Sequence, residues 1–168
     1  MNNQFILIDE MKAEDGPTVL SIYQQGIDTG QATFETSAPE WEQWDENHLK
    51  MCRLVARLPD LSVVGWAALS AVSKRIVYAG VAEVSLYVHP RHQHHGVGGR
   101  LLEELIHRSE EAGFWMLQAS VFPENAASVH LHMKCDFRQV GTREKIARLH
   151  GVWRDTLLLE RRSHLYRD

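Results

Sequence analysis

The stretch VAEVSLYVHPRHQHHGVGGRLL, residues 81–102, decides the fold, because it predicts a strand, a tight turn and a helix in direct succession. Apolar and polar side chains alternate along its first eight residues, which is the period of a strand. The two faces hold Ala82, Val84, Leu86 and Val88 on one side and Glu83, Ser85 and Tyr87 on the other. Pro90 ends this pattern, and Gly96, Gly98 and Gly99 fall where apolar residues begin to recur at helical spacing. The first turn of a helix offers unpaired N–H groups and a positive dipole end, so we expect it to bind an anion, most naturally a phosphate.

The bulk properties limit the possible partners. A chain of 168 residues has the size of one domain, spanning residues 1–168, with 18 basic and 22 acidic side chains and a net charge of −4. This balance argues against nucleic acid as a partner. No apolar run approaches the roughly 20 residues of a membrane span, and the N-terminal residues lack the pattern of a signal peptide, so we expect a soluble, cytoplasmic protein without a membrane partner. Cys52 and Cys135 stand alone and predict reduced packing residues.

The residues before this stretch predict one strand, two helices and two more strands. Apolar spacing places the first strand at 5–8 and a helix at 13–27, with Asp15 as its cap. A second helix follows the capping-box spacing from Ser37 to Glu40. Strands at 53–57 and 62–69 are dense in apolar residues, which predicts burial of both faces.

Two connections could contact a substrate. The polar stretch 28–37 carries Phe34 and Glu35, and Trp41 and Trp44 follow; together they could form one wall of a small-molecule pocket. A solvent loop before an ordinary amphipathic helix is an equally good interpretation. The link 70–78 carries Ser73, Lys74 and Arg75, which could hold an acidic substrate or, as we favour, form a solvated hairpin tip.

The residues after this stretch predict an alternation of helix and strand. The helix should continue to residue 112 and end at Gly113, followed by a strand at 114–122 and a short helix at 127–134. Strands at 137–140 and 152–160 would flank a polar excursion that contains Arg143, Lys145 and Arg148. The order of elements predicts an α+β sheet domain.

Several motifs resemble those of the GNAT N-acetyltransferases. QHHGVG at 93–98 is similar to their glycine signature, and it follows a strand, as it does in that family. AEVSLYVHP, PENAASVHLHMKCDF and GVWRDTLLLER resemble, in order, segments of the phosphinothricin and methionine sulfoximine (arsinothricin-type) N-acetyltransferases. The resemblance implies a GNAT fold: a mixed, mostly antiparallel, twisted sheet of about seven strands, flanked by helices and splayed to form a cleft for acetyl-CoA.

The resemblance also implies the acetyl-CoA site. Backbone N–H groups of the glycine turn would hold the pyrophosphate without a metal, and the pantetheine arm would pair with a strand edge like an added strand. An N–H group near Leu86 could polarise the thioester carbonyl. The implied contacts are Leu86, Tyr87, Val88, His94, His95, Gly96, Val97, Gly98, Gly99, Asn125 and Ser128. The run His89, His92, His94, His95 matches no closed metal site, so we expect no metal.

Three residues are candidates for the chemistry. Glu83 is a carboxylate within an apolar strand, costly to bury without a task, and the resemblance implies that it is the general base; a salt-bridge role is the alternative. His132 would be a second base or orient the amine, or else be a core or capping histidine. Tyr87 would protonate the leaving thiolate or simply pack.

The resemblance implies a small amine as acceptor. The expected reaction is acetylation of a small amino acid or an analogue such as phosphinothricin or methionine sulfoximine. This reaction would give antibiotic or herbicide resistance. The resemblance also makes a homodimer possible. Acetylation of a protein or peptide amine and a non-catalytic acyl-CoA-binding module are the alternatives. The implied acceptor contacts are Phe34, Glu35, Ser73, Lys74, Arg75, Glu83, Val84 and Ser85. Asp136 replaces the family's glycine, and we expect it to adopt the left-handed backbone.

Overall fold

A seven-stranded sheet with four α-helices forms the fold in the computed structural model, which describes residues 5–166. The sheet order is β1-β2-β3-β4-β5-β7-β6. The strands are β1 (Leu7–Glu10), β2 (Leu54–Arg57), β3 (Val63–Ala71), β4 (Val81–Val88), β5 (Met116–Val121), β6 (Arg138–Leu149) and β7 (Val152–Arg162). The helices are α1 (Gly16–Asp28), α2 (Trp41–Asn47), α3 (Val97–Glu111) and α4 (Ala126–Lys134). The predicted α+β class and mixed sheet are confirmed.

The pairing of β4 with β5 positions the cleft. These two strands are parallel and pair only from Val81 to Glu83 and from Met116 to Gln118, whereas every other described strand pair is antiparallel. β4 continues to Val88 along β3, while β5 continues along β7. The sheet is therefore open between β4 and β5 beyond Glu83.

The two faces of the sheet are covered by different helices. Leu101, Leu102 and Leu105 of α3 are fully buried against one face, in a cluster that also holds Ala82, and Val84, Leu86 and Val88 pack against it. Val19, Ile22 and Trp44, from α1 and α2, cover the other face together with Trp66, and Tyr87 packs there. The predicted alternation along β4 is confirmed, since its even residues meet the first cluster and Tyr87 meets the second.

Several predicted boundaries before the cleft were wrong. β1 begins at Leu7, two residues later than predicted, and α1 begins at Gly16 because residues 13–15 form a 3₁₀ turn. Asp15 is the N-cap residue of α1, as predicted, but its carboxylate makes no capping hydrogen bond to that helix. It accepts instead from both Nη atoms of Arg57, at 2.9 and 2.7 Å, and from Lys12 N at 2.8 Å. The capping box at Ser37 is also wrong. α2 begins at Trp41 because Pro39 disfavours helical backbone at the residue before it.

The C-terminal strands are longer than predicted. The expected polar excursion is part of β6, where Arg143, Lys145 and Arg148 are exposed, and β6 pairs with β7 with two irregularities in register. β6 is the edge strand of the sheet, so polar side chains can reach water along it. By contrast, β5 is shorter than predicted, from Met116 to Val121. None of the helices formed by residues 5–166 is both long and apolar enough to cross a bilayer.

Candidate active site

A cleft of about 970 Å³ lies where β4 and β5 separate. Its walls come from β4, the end of β5, the starts of α3 and α4, and residues 29–35 after α1. Glu83, Val84, Ser85, Leu86, Tyr87 and Val88 all line it, as the sequence predicts for contact residues on this strand.

Alternate backbone groups of β4 point into the opening. The N–H of His89 donates to Val64 O of β3 at 2.8 Å, and Gly80 O accepts from Trp115 N on the β5 side. Peptide groups alternate in direction along a strand, so those of Leu86 and Val88 face the β5 side, where β5 pairs only as far as Glu83. Gln93 Nε2 donates to Val88 O at 3.3 Å. The Leu86 and Val88 N–H groups are therefore placed to bind an extended polar ligand.

The glycine turn, with Gly96, Gly98 and Gly99, lines the cleft at the start of α3. His94 and Gly96 have positive φ values of 61° and 82°, and α3 begins directly afterwards at Val97. The first helical hydrogen bond runs from Arg100 N to Gly96 O at 3.1 Å, which leaves the N–H groups of the first turn without helical partners. A side chain at Gly98 would place its Cβ 3.2 Å from Leu131 Cδ2, so α3 and α4 approach closely here. This turn has the features of an anion site.

Asn125 and Ser128 begin α4 on the same side. Asn125 Oδ1 accepts from Ser128 N at 3.2 Å, and its Nδ2 donates to Gln31 O at 3.2 Å. Both residues line the cleft, but the Asn125 side chain already caps the helix and contacts the loop after α1. Their contact with the cofactor remains a prediction.

His132 is buried at the inner end of the cleft. Its Nδ1 hydrogen-bonds to Ser128 O at 2.7 Å, and Nε2 is buried with no partner among residues 5–166. Burial lowers the pKa of His132, so the ring is neutral at neutral pH. The ring also meets Phe137 edge-on, with centroids 5.0 Å apart. The base and core interpretations both remain open.

Glu83 lies at the point where the strands separate. It forms the last β4–β5 pair, opposite Gln118, and Gln118 Nε2 donates to Glu83 Oε2 at 2.8 Å. The amide fixes one carboxylate oxygen of a half-buried side chain that also lines the cleft. A carboxylate held in this way can accept a proton from a ligand amine.

Tyr87 packs against α1 and the neighbouring aromatic rings. Its ring stacks on Trp66 at 5.1 Å and meets Tyr23 at 4.8 Å between centroids. A Cβ at Gly26 would lie only 2.5 Å from Tyr87 Cδ1, so glycine is required at this contact. Burial raises the pKa of Tyr87 strongly, which disfavours its ionised form. These contacts favour the packing role over proton donation.

Residues 29–35, which we call the acceptor loop, cover one side of the cleft. Phe34 meets Phe122 edge-on with centroids 4.9 Å apart, and Glu35 lies near Tyr23 and Tyr87, whose pKa values burial and the Glu35 charge both raise. The structure thus brings Phe34 and Glu35 to the cleft. Trp41 and Trp44 do not contribute to its lining; their rings stack on each other, and Trp44 is fully buried in the core.

The link 70–78 does not reach the cleft in the described chain. Ser73, Lys74 and Arg75 are absent from its lining, Ser73 Oγ accepts from Arg75 N at 3.1 Å, and the Arg75 guanidinium lies 5.5 Å from the centre of the Tyr78 ring. Within residues 5–166, no group of three or more His, Cys, Asp or Glu side chains is arranged to hold a metal ion.

Two residues that hold parts of the cleft in place from outside its lining were not predicted. The sequence carried a signal for Gln118, since a polar side chain in the apolar run FWMLQASVF is costly to bury without a partner, as is that of Glu83. It carried none for Arg154, because the partners of Arg154 in residues 29–35 are more than 100 positions away: its guanidinium donates to Gly30 O at 3.0 Å and to Gln31 Oε1 at 2.8 Å. Contacts at this separation are set by the tertiary fold.

Comparison with known proteins gives consistent results. A family model described as the acetyltransferase (GNAT) family matches residues 21–137. The phosphinothricin N-acetyltransferase of Alcaligenes faecalis is 32% identical over 158 residues, covering 90% of this chain and 79% of the relative. The L-methionine sulfoximine/L-methionine sulfone acetyltransferase of Salmonella typhimurium is 33% identical over 78 residues, 46% of each chain. The crystal structure of a GNAT superfamily phosphinothricin acetyltransferase from Sinorhizobium meliloti in complex with acetyl-CoA has a TM-score of 0.86 and 26% identity, covering 94% of this chain and 88% of that chain.

Proposed function

The chain belongs to the acetyltransferase (GNAT) family, and from this premise we propose that it transfers the acetyl group of acetyl-CoA to the amine of a small amino acid or amino acid analogue, such as phosphinothricin or methionine sulfoximine. The observation that carries the proposal is the position of Glu83. It is a carboxylate at the last β4–β5 pair, at the head of an opening that the Leu86 and Val88 N–H groups face.

The cleft fits acetyl-CoA through its backbone. Acetyl-CoA would supply the acetyl group as a thioester, the activated form that an amine can attack. The N–H groups of Val97, Gly98 and Gly99 would hold its pyrophosphate at the start of α3. The Leu86 and Val88 peptide groups would hydrogen-bond to the amides of its pantetheine arm, and the Leu86 N–H would polarise the thioester carbonyl.

Glu83 would prepare the amine. An α-amino group with a reference pKa of about 8 is mostly protonated at neutral pH and cannot attack in that form. Glu83 would accept the proton, while Gln118 keeps the carboxylate in place through the 2.8 Å hydrogen bond. His132, neutral because burial lowers its pKa, would orient the amine or act as a second base.

The acceptor loop would hold the rest of the substrate. Phe34 and Phe122 form an apolar surface, and the carboxylate of Glu35 would attract the ammonium group as it enters. This loop covers the cleft, which suits a small molecule better than the N-terminus of a protein. Acetylation of an antibiotic or herbicide of this class would protect the host cell from it.

A thiol-release assay tests the proposal. Purified protein and acetyl-CoA would be incubated with phosphinothricin, methionine sulfoximine, methionine sulfone, glutamate or a peptide with a free N-terminus, and without acceptor. We expect amine-dependent CoA release for at least one small amine and little for the peptide. Preference for the peptide would point to acetylation of protein amines. Acetyl-CoA binding without amine-dependent release would point to a binding module and refute the proposal.

A further inference from the structure

The acceptor loop has little structure of its own to fix its position. It contains no helix or strand, Gly30 has a φ of 68°, and its internal hydrogen bonds are short-range: Gln31 N to Thr29 Oγ1 and Glu35 N to Thr33 Oγ1, both at 3.1 Å. Such local turns shape a loop but do not fix its place against the rest of the protein. The position of Phe34 and Glu35 over the cleft must therefore depend on contacts with other elements.

Arg154 of β7 supplies several of these contacts at once. Its Nη1 donates to Gly30 O at 3.0 Å, and its Nη2 donates to Gln31 Oε1 at 2.8 Å and to Glu124 Oε2 at 3.2 Å. The guanidinium also lies 4.2 Å from the centre of the Phe122 ring. Only 14% of the side chain is exposed, so these contacts are partly shielded from water.

The partners of Arg154 belong to two segments that flank the part of the cleft where the acceptor would bind, which we call the acceptor end. Gly30 and Gln31 are in the acceptor loop, whereas Phe122 and Glu124 lie in the turn from β5 to α4. Phe122 is also the ring that Phe34 contacts, and Asn125 Nδ2 joins the same turn to Gln31 O. One guanidinium thus links the loop that carries Phe34 and Glu35 to the turn that carries Phe122.

An arginine suits this task better than a lysine. Its planar group presents several donors in fixed directions, enough to serve the carbonyl, the amide and the carboxylate together, and its flat face packs on an aromatic ring. A single ammonium could keep only some of these bonds in the same place. Arg148 offers a contrast nearby: it is exposed and lies 4.5 Å from the centre of the Trp153 ring, with no hydrogen bond to the acceptor loop in the described chain.

We propose that Arg154 is a positioning residue that holds the acceptor loop closed over the acceptor end of the cleft and thereby sets the affinity for the acceptor. This rests on the proposed acetyl transfer. The loop supplies Phe34 and Glu35 to the acceptor, whereas the glycine turn that would hold acetyl-CoA lies outside the loop. Release of the loop therefore weakens acceptor binding and spares acetyl-CoA binding.

The experiment compares Arg154→Met, Arg154→Lys and the control Arg148→Met in two measurements. The first is steady-state kinetics with phosphinothricin, together with the acetyl-CoA dissociation constant by calorimetry. For Arg154→Met we expect the acceptor KM to rise about 10- to 100-fold, the equivalent of about one hydrogen bond to a charged group, because water replaces part of the two bonds that the loop loses; acetyl-CoA affinity should stay within about twofold. Arg154→Lys should recover part of the loss, and Arg148→Met should match the wild type.

The second measurement is amide hydrogen exchange, which needs no turnover. Exchange at residues 29–35 should become faster in Arg154→Met and stay unchanged in Arg148→Met, while exchange in α3 stays as in the wild type. Unchanged exchange in the loop, or equal losses of acceptor and acetyl-CoA binding, would overturn the inference. Failure of the wild type to acetylate phosphinothricin would count against the proposed substrate alone, and loop exchange would still decide the role of Arg154.

Discussion

Replacing Gln118 with leucine should impair the reaction without touching a substrate contact. The change keeps the approximate size of the side chain but removes the Nε2 donor that lies 2.8 Å from Glu83 Oε2. A hydrogen bond to a charged acceptor contributes about 1.5–3 kcal/mol. Its loss leaves the Glu83 carboxylate without the donor that fixes one of its oxygens at the edge of the cleft.

The magnitude follows from this hydrogen bond. About 1.4 kcal/mol corresponds to a factor of ten in rate, so loss of the hydrogen bond should lower kcat/KM by about tenfold or more. The fall should be present across the pH range, because it comes from the lost position of the base. The assay is CoA release measured from about pH 5.5 to 9.5, with Gln139→Leu on the exposed edge strand as the matched control. Superimposable profiles for Gln118→Leu and the wild type would refute the idea that Gln118 orients and stabilises the base.

Three further predictions concern the cofactor turn and the stability of the fold. Gly98→Val should weaken acetyl-CoA binding in calorimetry by about tenfold or more, since its Cβ would lie 3.2 Å from Leu131. Gly99→Ala should have little effect because the nearest neighbour of its Cβ is 3.9 Å away. Equal binding by both variants would contradict this. Asp15→Asn should lower the free energy of unfolding in urea by about 1.5–3 kcal/mol, because it leaves the buried Arg57 guanidinium with only the more exposed carboxylate of Asp9 as a charged partner, and a loss below about 0.5 kcal/mol would be inconsistent with a buried ion pair. Burial lowers the pKa of His132, so the unfolded chain binds more protons than the folded chain as pH falls below about 6.5; unfolding free energy should fall in that window, and less steeply in His132→Asn.

Much of the cleft could be predicted from residues 81–102 because its features are local. Alternation along β4 depends only on the strand period, and the glycine turn depends on backbone that few other residues adopt. Both are confirmed, as are the left-handed conformation of Asp136, with a φ of 65°, and the end of α3 at Gly113, with a φ of 93°. Glu83 was recognised as a candidate from local sequence too, since it is a carboxylate within an otherwise apolar strand.

The remainder depends on contacts that sequence spacing does not reveal. The capping-box pattern at Ser37 matched a known spacing, yet Pro39 and the tertiary position of the loop start α2 at Trp41. Trp41 and Trp44 looked suitable for a pocket wall, but burial against Trp66 gains more than exposure in the cleft. Arg154 could not be anticipated, because Phe122 and Glu124 meet it only when β7 lies beside β5, and Gly30 and Gln31 are more than 100 positions away.

The central claim is that Glu83 takes the proton from the amine, and Glu83→Gln tests it most directly. Turnover at neutral pH and the acetyl-CoA dissociation constant would be measured side by side, with Glu42→Gln on the exposed face of α2 as the control. Loss of a general base should reduce kcat by about 100- to 10,000-fold, while acetyl-CoA affinity stays within about twofold and the control matches the wild type. Unchanged turnover, or equal losses in turnover and acetyl-CoA binding, would contradict the claim.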